Sequence, residues 1–392
     1  MDNLNIAICG GGNGAHACAA LMSHKGHNVR VFSPIRSEVE CMKENYNKNQ
    51  GLSFVIAGKT MDNTTLEAIT YNAAEALSGA EVIFVIVPAF AHKTIFRYIA
   101  KHMKPDALVV VMPCRGLMEL EVSRFLPNVT VMALQTLPWA CRLDTPGSRI
   151  DIKGIKKKIQ VACIPSTLGS IYDHLLEEFL DMRVERIKSI KTMIFSNIGQ
   201  VFHPGIMYGL FKNDPNREFT EAETPLFYQG VTAEGAGILL KLVDEIQTIM
   251  QKLCEIDGNI EPQKVLSPIE WLTESYGEQI EDNSCLQKML NSNIAYKGIR
   301  VPTIKINENT YKANFNARYI VEDVPYSLLV TRTIGHMLEL ATPMMDEVIN
   351  GLGAWIGTDW IGSFNTARDL EMNSRLPLFY GCETIGDLLS WE

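Results

Sequence analysis

The sequence predicts an α/β protein in which an N-terminal doubly wound Rossmann domain precedes a C-terminal, mostly α-helical domain. A glycine-rich turn near the N-terminus lies between a short apolar strand and a helix-forming run. Over the first half, apolar β-branched runs alternate with helical segments, as in a parallel sheet covered by helices. Beyond residue 190 apolar residues recur at helical spacing instead. We therefore expect a dinucleotide-binding domain at 1–190 and a helical substrate domain at 191–392, tightly joined around a cleft.

The turn lies in the stretch NIAICGGGNGAHA, residues 5–17, which follows the spacing G-x-G-x-x-A. Gly10 permits a tight turn, Gly12 lets the backbone approach a pyrophosphate, and Ala15 lets the helix pack close to the strand. The N–H groups at the start of the helix face the negative charge of the phosphates. The predicted cofactor contacts in this turn are Gly10, Gly12, Asn13, Gly14 and Ala15.

The second strand, Val29 to Phe32, leaves the identity of the dinucleotide open. It ends in Phe32-Ser33-Pro34, without the Asp or Glu that usually holds the adenine ribose of NAD. Arg36 follows shortly after, and an arginine in that place accommodates the 2′-phosphate of NADP. We expect Ser33 and Arg36 to contact the cofactor, which is either NAD(H) or NADP(H).

Further apolar runs continue the predicted sheet. The strand candidates are Glu81 to Val87, Leu108 to Met112, Val129 to Ala133 and Ile159 to Cys163. Residues that follow the carboxyl end of such a strand line the ligand crevice, so Pro88 is another predicted cofactor contact. The helical candidates are Ser170 to Leu180, Gly237 to Leu253, Ile269 to Ile280 and Tyr326 to Met345. The polar stretch from Glu38 to Gly58 has no assigned structure.

Composition excludes several classes of protein. A net charge of −9 argues against a nucleic-acid partner, since a phosphate backbone needs a basic footprint. No apolar stretch is long enough for a membrane span, and the start MDNLNIAICGGG lacks the basic region of a signal peptide. Nine cysteines without a C-x-x-C pair suggest reduced thiols and no metal site. We expect a cytoplasmic monomer or homodimer that acts on small molecules.

Candidate catalytic residues lie in the second half. A nicotinamide enzyme that reduces a carbonyl or imine needs a proton donor, a cation for the substrate's carboxylate and usually an acid that orients the donor. His203, Arg318 and Asp323 offer these groups. By pattern alone, a histidine before a proline is more often structural, and Arg318 with Asp323 is by default a solvated ion pair. Spacing does not establish whether the two segments meet.

Longer segments give the chain a resemblance to the opine dehydrogenase family, and most of all to its octopine and tauropine type. The strings TLPWACR and PLFYQG are too long to match by chance, and the matching segments span nearly the whole chain in order. They are GGGNGAH (10–16), VPAFAH (87–92), TLPWACR (136–142), FHP (202–204), PLFYQG (225–230), NIAYKG (293–298) and RYIVEDVP (318–325).

The resemblance implies a reaction and a catalytic set. Such enzymes join the amine of an amino acid to a 2-oxo acid, usually pyruvate, and reduce the imine with NADH to an N-(carboxyalkyl)amino acid. The family's histidine, aspartate and arginine match His203, Asp323 and Arg318. His203 would polarise the keto oxygen and deliver a proton, and Asp323 would hold its ring. Arg318 would grip the oxo acid's carboxylate in a two-pronged contact.

The same resemblance suggests where the amino acid binds. Cys141, Tyr208 and Trp271 match substrate contacts of the octopine type, with ordinary core packing as the alternative for each. The family member that takes arginine has a glutamine where Arg115 stands here. A cation in that position would repel a guanidinium and attract an anionic or sulfonate group, so we expect Arg115 to contact the substrate and octopine not to be the product.

Two other functions fit the residues. A related two-domain Rossmann dehydrogenase of a hydroxy acid or sugar phosphate would turn over an oxo acid alone, without an amine. A dinucleotide-binding regulator that has lost activity would bind NADH without oxidising it. The presence of His203, Arg318 and Asp323 argues against the regulator, since a sensor needs no proton donor.

Overall fold

The computed structural model describes residues 3–362 and 374–391, without the side chains of residues 62 and 63. The chain divides into two compact units. Unit 1 comprises Met1–Cys114, Met118–Met193 and Trp391–Glu392, and unit 2 comprises Arg115–Leu117 and Ile194–Ser390. The short segment Arg115–Leu117 therefore belongs to unit 2, although its chain neighbours on both sides belong to unit 1.

Unit 1 is built on a mostly parallel sheet with the order β12-β11-β8-β7-β6-β1-β2-β5. Only the pairing of β11 with β8 is antiparallel among the described strands of this sheet. The strand order reverses direction at β1, which has β2 on one side and β6 on the other, and this is the switch point where doubly wound sheets bind ligands. The strands are β1 Asn5–Cys9, β2 Asn28–Phe32, β5 Ala68–Thr70, β6 Val82–Val85, β7 Leu108–Val111, β8 Val131–Leu134, β11 Lys158–Ile164 and β12 Arg183–Arg186.

Helices cover the sheet on both faces, and two apolar clusters form the layers between them. Side chains alternate along each strand, so Ile6 and Ile8 enter one cluster while Ala7 and Cys9 enter the other. The central strands are buried along their whole length, which explains their continuous apolar sequences. The helices of this part of the chain are α1 Asn13–His24, α2 Arg36–Asn49, α3 Ala73–Leu77, α4 His92–His102, α5 Met118–Phe125, α6 Gly169–Leu180 and α7 Ile190–Ser196.

Another sheet of unit 1, which the sequence did not predict, has the order β4-β3-β10-β9. Its apolar residues, among them Phe54 and Ile150, join the cluster that also contains Ala15 and Ala19 of α1. The unassigned polar stretch therefore forms α2 and part of this sheet. The strands are β3 Leu52–Ile56, β4 Lys59–Thr64, β9 Trp139–Thr145 and β10 Arg149–Ile155.

Unit 2 is mostly helical, as predicted. Its helices are α8 Gly199–Phe211, α9 Ala233–Ile256, α10 Pro268–Tyr276, α11 Leu286–Ser292, α12 Arg318–Val321, α13 Leu329–Met337, α14 Pro343–Ile356 and α15 Ile385–Ser390. Helix α8 contacts α9, α12 and α14. The long Tyr326-to-Met345 prediction resolves into the π-helical turn Val324–Leu328, α13 and the start of α14. Unit 2 also holds a small sheet of order β13-β15-β14, formed by β13 Glu218–Phe219, β14 Thr303–Lys305 and β15 Tyr311–Ala313.

The predicted fold class is confirmed: a doubly wound parallel sheet and a helical part occur in that order along the chain. Within the described ranges, no helix combines the length and apolar character that crossing a bilayer would require.

Candidate active site

The glycine-rich turn of unit 1 connects β1 to α1 at the switch point. Gly10 adopts φ +139°, and a Cβ on it would lie 2.3 Å from the carbonyl oxygen of Ile86, so this position accepts no other residue without a shift of backbone. Gly12 precedes the first residue of α1 and a Cβ there would meet no atom within 4 Å. Within the described α1 the first turn has no acidic residue. This geometry fits a pyrophosphate at the helix N-terminus.

The other predicted contacts in the turn have structural partners. The side-chain oxygen of Asn13 accepts a hydrogen bond from the Leu143 N–H at 2.8 Å. A Cβ on Gly14 would lie 2.9 Å from side-chain atoms of both Ile86 and Leu137. Ala15 is buried below Gly10. These three residues shape the turn, and their contact with a cofactor stays a prediction.

His16 fixes the turn to the β9–β10 connection. The backbone N–H of Gly147 donates to His16 Nε2 at 2.7 Å, so Nε2 carries no proton, and the protonated Nδ1 donates to the Gly12 carbonyl at 3.0 Å. Burial lowers the pKa of His16, while its bond to Gly12 and the charge of Glu38 oppose that shift. A neutral imidazole therefore supports the predicted phosphate-binding turn.

An acidic residue of α2 lies near the end of β2, which the sequence did not reveal. Ser33 is buried, and its hydroxyl donates to Oε2 of Glu38, a residue in the first turn of α2. A Cβ on Gly11 would lie only 2.3–2.6 Å from the carboxyl group of Glu38, which therefore lies directly against the glycine-rich turn. Arg36 is exposed instead, bonded to Glu40 at 2.7 Å.

Pro88 lies shortly after β6 and directly before the 3-10 turn Ala89–Ala91, in which Phe90 is exposed. This segment follows the carboxyl end of a central strand, where the switch-point rule expects ligand. Pro88 thus lies where the switch-point rule expects a ligand, and its contact with the cofactor stays a prediction.

In unit 2 the structure brings His203 and Asp323 together. His203 lies in α8, directly before the internal Pro204, and its Nδ1 is 2.8 Å from Asp323 Oδ2. The two residues are 120 positions apart in the sequence. The imidazole is 20% exposed and the carboxylate 2% exposed, so the acid is buried while the ring reaches the surface of the unit. The side chains thus have the arrangement of a base and the acid that orients it.

The charge on Asp323 is held by its surroundings. Burial alone would raise its pKa, but the positive charges of Arg115, His203 and Arg318 and the hydrogen bond to His203 outweigh burial and hold the pKa below its usual value of 3.8. The alternative of a solvated Arg318–Asp323 ion pair is wrong, because Asp323 is buried and bonds to other partners.

Arg318 is not bonded to Asp323 but is tied to the same cluster through its neighbour. Its Nε donates at 2.7 Å to Oε2 of Glu322, the residue that caps the C-terminal end of α12 one helical turn later. Glu322 is 1% exposed, whereas the Arg318 side chain is 60% exposed. Arg318 is therefore an oriented guanidinium that solutes can reach.

Arg115 occupies an unexpected place. Its side chain is 10% exposed, and its Nη1 donates to Asp323 Oδ1, the oxygen that does not bond to His203. Its Nε lies 3.4 Å from Glu322 Oε1. The sequence predicted that Arg115 offers its charge to a substrate, whereas the structure engages it with two buried carboxylates of the protein itself.

Aromatic rings surround His203. Tyr319 stacks on the imidazole with centroids 4.2 Å apart, and Phe227 contacts both rings. Trp271 packs edge-on against Phe202, the residue before His203, at 5.7 Å. Of the three predicted amino-acid contacts, Trp271 is thus linked by ring contacts to the His203 neighbourhood.

The other two predicted contacts have different surroundings. Tyr208 stacks on Trp355 and donates to Glu347 at 3.0 Å, and its ring takes no part in the contacts described for His203. Cys141 lies in β9 of unit 1 within an apolar cluster, and burial raises the pKa of its thiol to about 11. These surroundings favour ordinary core packing for both residues, and their contact with substrate stays a prediction.

Residues absent from the sequence-based set are Glu38, Glu322 and Tyr319. Glu322 could have been found, because it is four positions after Arg318 and an i,i+4 pair of opposite charge lies on one helix face. Tyr319 carried no signal beyond its place beside Arg318. Glu38 lay in the stretch that had no assigned structure, so its distance from the end of β2 could not be judged.

Known families match the two halves of the chain separately, and known proteins match the chain over its full length. Residues 5–140 match the N-terminus of NAD-dependent glycerol-3-phosphate dehydrogenase, and residues 186–355 match the alpha-helical domain of NAD/NADP octopine/nopaline dehydrogenase. The chain is 28% identical to tauropine dehydrogenase of Arabella iricolor over 397 residues, covering 98% of this chain and 99% of that protein.

Solved structures of octopine dehydrogenase share the whole fold. One, with NADH and L-arginine, has a TM-score of 0.87 at 26% identity, covering 100% of this chain and 98% of the other. Another, with NADH and pyruvate, has a TM-score of 0.83 at 25% identity over the same shares. The expected resemblance to the opine dehydrogenase family is confirmed by these matches, which extend over the full length of the chain.

Proposed function

We propose that this protein is an NADH-dependent opine dehydrogenase that condenses the amine of an amino acid with a 2-oxo acid such as pyruvate and reduces the imine. Its relatives include tauropine dehydrogenase, and octopine dehydrogenase structures hold NADH with arginine or with pyruvate. The observation that carries the proposal for this chain is the His203–Asp323 pair, a partly exposed imidazole bonded to a buried carboxylate.

His203 is the proposed proton donor. Its Nδ1–H is fixed by Asp323 Oδ2, so the proton it transfers is the one on Nε2. Asp323 stays ionised and holds the ring, while His203 in its protonated form polarises the keto oxygen of the oxo acid and protonates the departing oxygen during condensation. NADH, when bound at the glycine-rich turn of unit 1, supplies the hydride that reduces the imine.

Arg318 is the proposed clamp for the oxo-acid carboxylate. A guanidinium presents several N–H donors in one plane, which matches the two oxygens of a carboxylate. The bond from its Nε to Glu322 limits its rotation, while the side chain is exposed enough to meet a solute. Arg318 and His203 would therefore hold the two ends of the 2-oxo acid, and the imine carbon lies between those ends.

The decisive experiment measures NADH oxidation with pyruvate and a panel of amines that includes taurine, glycine, alanine, arginine and acidic amino acids. We expect turnover to require amine and oxo acid together. His203→Ala should reduce kcat by about a hundredfold or more while leaving NADH affinity unchanged, because general acid catalysis contributes about that much. His336→Ala, an exposed histidine of α13, is the matched control and should behave as wild type.

Three outcomes would contradict the proposal. Turnover of an oxo acid without any amine would identify a hydroxy-acid dehydrogenase instead. Unchanged kcat in His203→Ala would remove that residue from proton transfer. NADH binding without oxidation under every substrate pair would favour a regulator.

We further propose that residues 1–190 form the dinucleotide-binding domain, that 191–392 form the substrate domain, and that the enzyme acts in the cytoplasm as a monomer or homodimer without nucleic-acid partners. The acidic net charge of −9 supports the last point. Cell fractionation tests the location, and light scattering of the pure protein tests the assembly state.

A further inference from the structure

Arg115 and His203 share one carboxylate. Asp323 Oδ2 accepts the hydrogen bond from His203 Nδ1, and Asp323 Oδ1 accepts from Arg115 Nη1. Each oxygen thus has its own donor. Because a carboxylate held at both oxygens cannot rotate about its χ2 bond, Arg115 fixes the orientation of the oxygen that faces the imidazole.

The same guanidinium also reaches the neighbouring acid. Arg115 Nε lies 3.4 Å from Glu322 Oε1, and Glu322 Oε2 accepts from Arg318 Nε at 2.7 Å. An unbroken series of hydrogen-bonded or ion-paired groups therefore connects the proposed proton donor to the proposed carboxylate clamp. In order, the groups are His203, Asp323, Arg115, Glu322 and Arg318.

Two carboxylates on consecutive residues are costly to bury. Glu322 is 1% exposed and Asp323 is 2% exposed, so water screens neither charge well. Arg115 forms an ion pair with both of them. Its backbone is held as well, because the buried Arg375 donates to the Arg115 carbonyl and Gly116 packs against the Tyr326 carbonyl.

We infer that Arg115 is a positioning residue for the proposed reaction, which aligns Asp323 with His203 and couples that pair, through Glu322, to Arg318. The inference rests on the proposed function. Arg115 acts through the two carboxylates and not on the substrate, so the preference of the enzyme for the charge of its amine is set by other residues. This revises the sequence-based expectation that Arg115 binds an anionic amine.

The inference makes a prediction about the pH dependence of turnover. Removing a positive charge makes every neighbouring group hold protons more tightly. Asp323 and Glu322 pair with Arg115, and Arg375 donates to its carbonyl. His203 and Arg318 bond to those two acids, and Tyr319 stacks on His203. The acidic and alkaline limbs of the kcat/KM profile should therefore both move to higher pH when the charge of Arg115 is lost.

The experiment compares Arg115→Gln, Arg115→Lys and Arg115→Ala with wild type in the NADH oxidation assay, with pyruvate and the best amine, across pH. Arg115→Gln should lower kcat about a hundredfold through misalignment and shift both limbs upward by about one pH unit or more, with an unchanged KM for NADH. Arg115→Lys keeps the charge but not the planar fork, so kcat should fall while the limbs stay in place. Guanidinium ion, added below denaturing concentrations, should partly restore Arg115→Ala.

The control is Arg332→Gln, which breaks another ion pair of unit 2, between the mostly buried Arg332 and the more exposed Asp346 at 2.8 Å. It should leave the pH profile unchanged. If Arg115→Gln is active with unshifted limbs and a raised KM for the amine, Arg115 is a substrate ligand and the inference is overturned. If Arg115→Gln does not fold, Arg115→Lys provides the test. A kcat of Arg115→Lys equal to that of wild type would also overturn the inference. Failure of the proposed function is seen separately, as absence of turnover in wild type.

Discussion

The carboxylate of Glu38 lies where an enzyme distinguishes NADH from NADPH. It contacts the buried Ser33 and lies against Gly11 of the glycine-rich turn, beside the end of β2. A carboxylate in this place accepts hydrogen bonds from the ribose hydroxyls and repels a 2′-phosphate. Glu38→Gln should lower kcat/KM for NADH about tenfold, the effect of losing one charged hydrogen bond, and raise kcat/KM for NADPH.

Glu44→Gln is the control for Glu38→Gln, since Glu44 is an exposed acid of the same helix. It changes the net charge equally but should leave the preference between the two cofactors as in wild type. Steady-state kinetics with each cofactor measure both variants. An unaltered ratio of the two kcat/KM values in Glu38→Gln would show that Glu38 does not contact the ribose.

Individual site residues differed in how far the sequence could reveal them. His203 and Asp323 were paired through a family resemblance, since no local pattern connects residues 120 positions apart. The pairing of Arg115 with Asp323, across 208 positions, was missed for the same reason. Burial decided the roles: an arginine looks available to substrate in a sequence, but its charge is engaged once two buried acids surround it.

At the scale of elements, Gly116 holds the segment of Arg115 against the π-helical turn Val324–Leu328. It adopts φ +51°, and a Cβ there would lie 2.4 Å from the carbonyl oxygen of Tyr326. The position of this Cβ is fixed by the backbone of Gly116, and the atom it would meet is a backbone oxygen. Neither atom can therefore move aside without distorting the backbone. Gly116→Ala should lower the free energy of unfolding by about 1–3 kcal/mol and reduce turnover through misplacement of Arg115.

Gly237→Ala separates this effect from a general response to a larger side chain. Gly237 lies inside α9, and a Cβ there would meet no atom within 4 Å. Alanine favours helix over glycine, so this variant should gain up to about 1 kcal/mol in unfolding free energy. Denaturant unfolding of both variants measures the difference, and equal stabilities would refute the proposed strain at Gly116.

Elements could be predicted where complete burial made their sequences continuously apolar. Strands β6, β7 and β8 are buried at every position, and their continuous apolar runs were recognised. Strand β9 alternates buried with exposed or partly exposed residues, so it has no continuous apolar run of the kind that marked β6, β7 and β8. Helix α2 was missed because its buried face is limited to Val39 and Met42.

At the scale of the whole molecule, alternating strands and helices followed by helical periodicity were sufficient to predict the fold class. They could not give the additional sheet formed by β3, β4, β9 and β10, because its parallel β3–β10 pairing joins segments almost a hundred residues apart. Such pairing depends on long-range packing and not on local sequence. The site depends on it too, since the β9–β10 connection supplies the N–H that holds His16.

The dependence of stability on pH follows from the buried groups of the folded protein. Burial lowers the pKa of His16 from 6.5, so the folded state favours the neutral ring. Its contribution to stability is complete above pH 6.5 and is lost as the pH falls below that value, because the unfolded chain then binds a proton that the folded chain resists. The pKa of Asp323 is also lowered in the folded protein, so stability decreases further as the pH falls below about 3.8.

His16→Gln isolates the first contribution. A glutamine oxygen can accept the Gly147 N–H in place of Nε2 and does not titrate, so the variant keeps the acceptor without the proton equilibrium. Urea unfolding from about pH 8 to about pH 5 should show that wild type loses more stability on acidification than the variant does. His27, whose pKa is also lowered, mainly by burial, is unchanged in both proteins and cancels from the comparison. If the unfolding free energies of the two proteins change in parallel with pH, His16 is not held neutral in the folded protein. Protonation of His16 would then not release the glycine-rich turn from the β9–β10 connection.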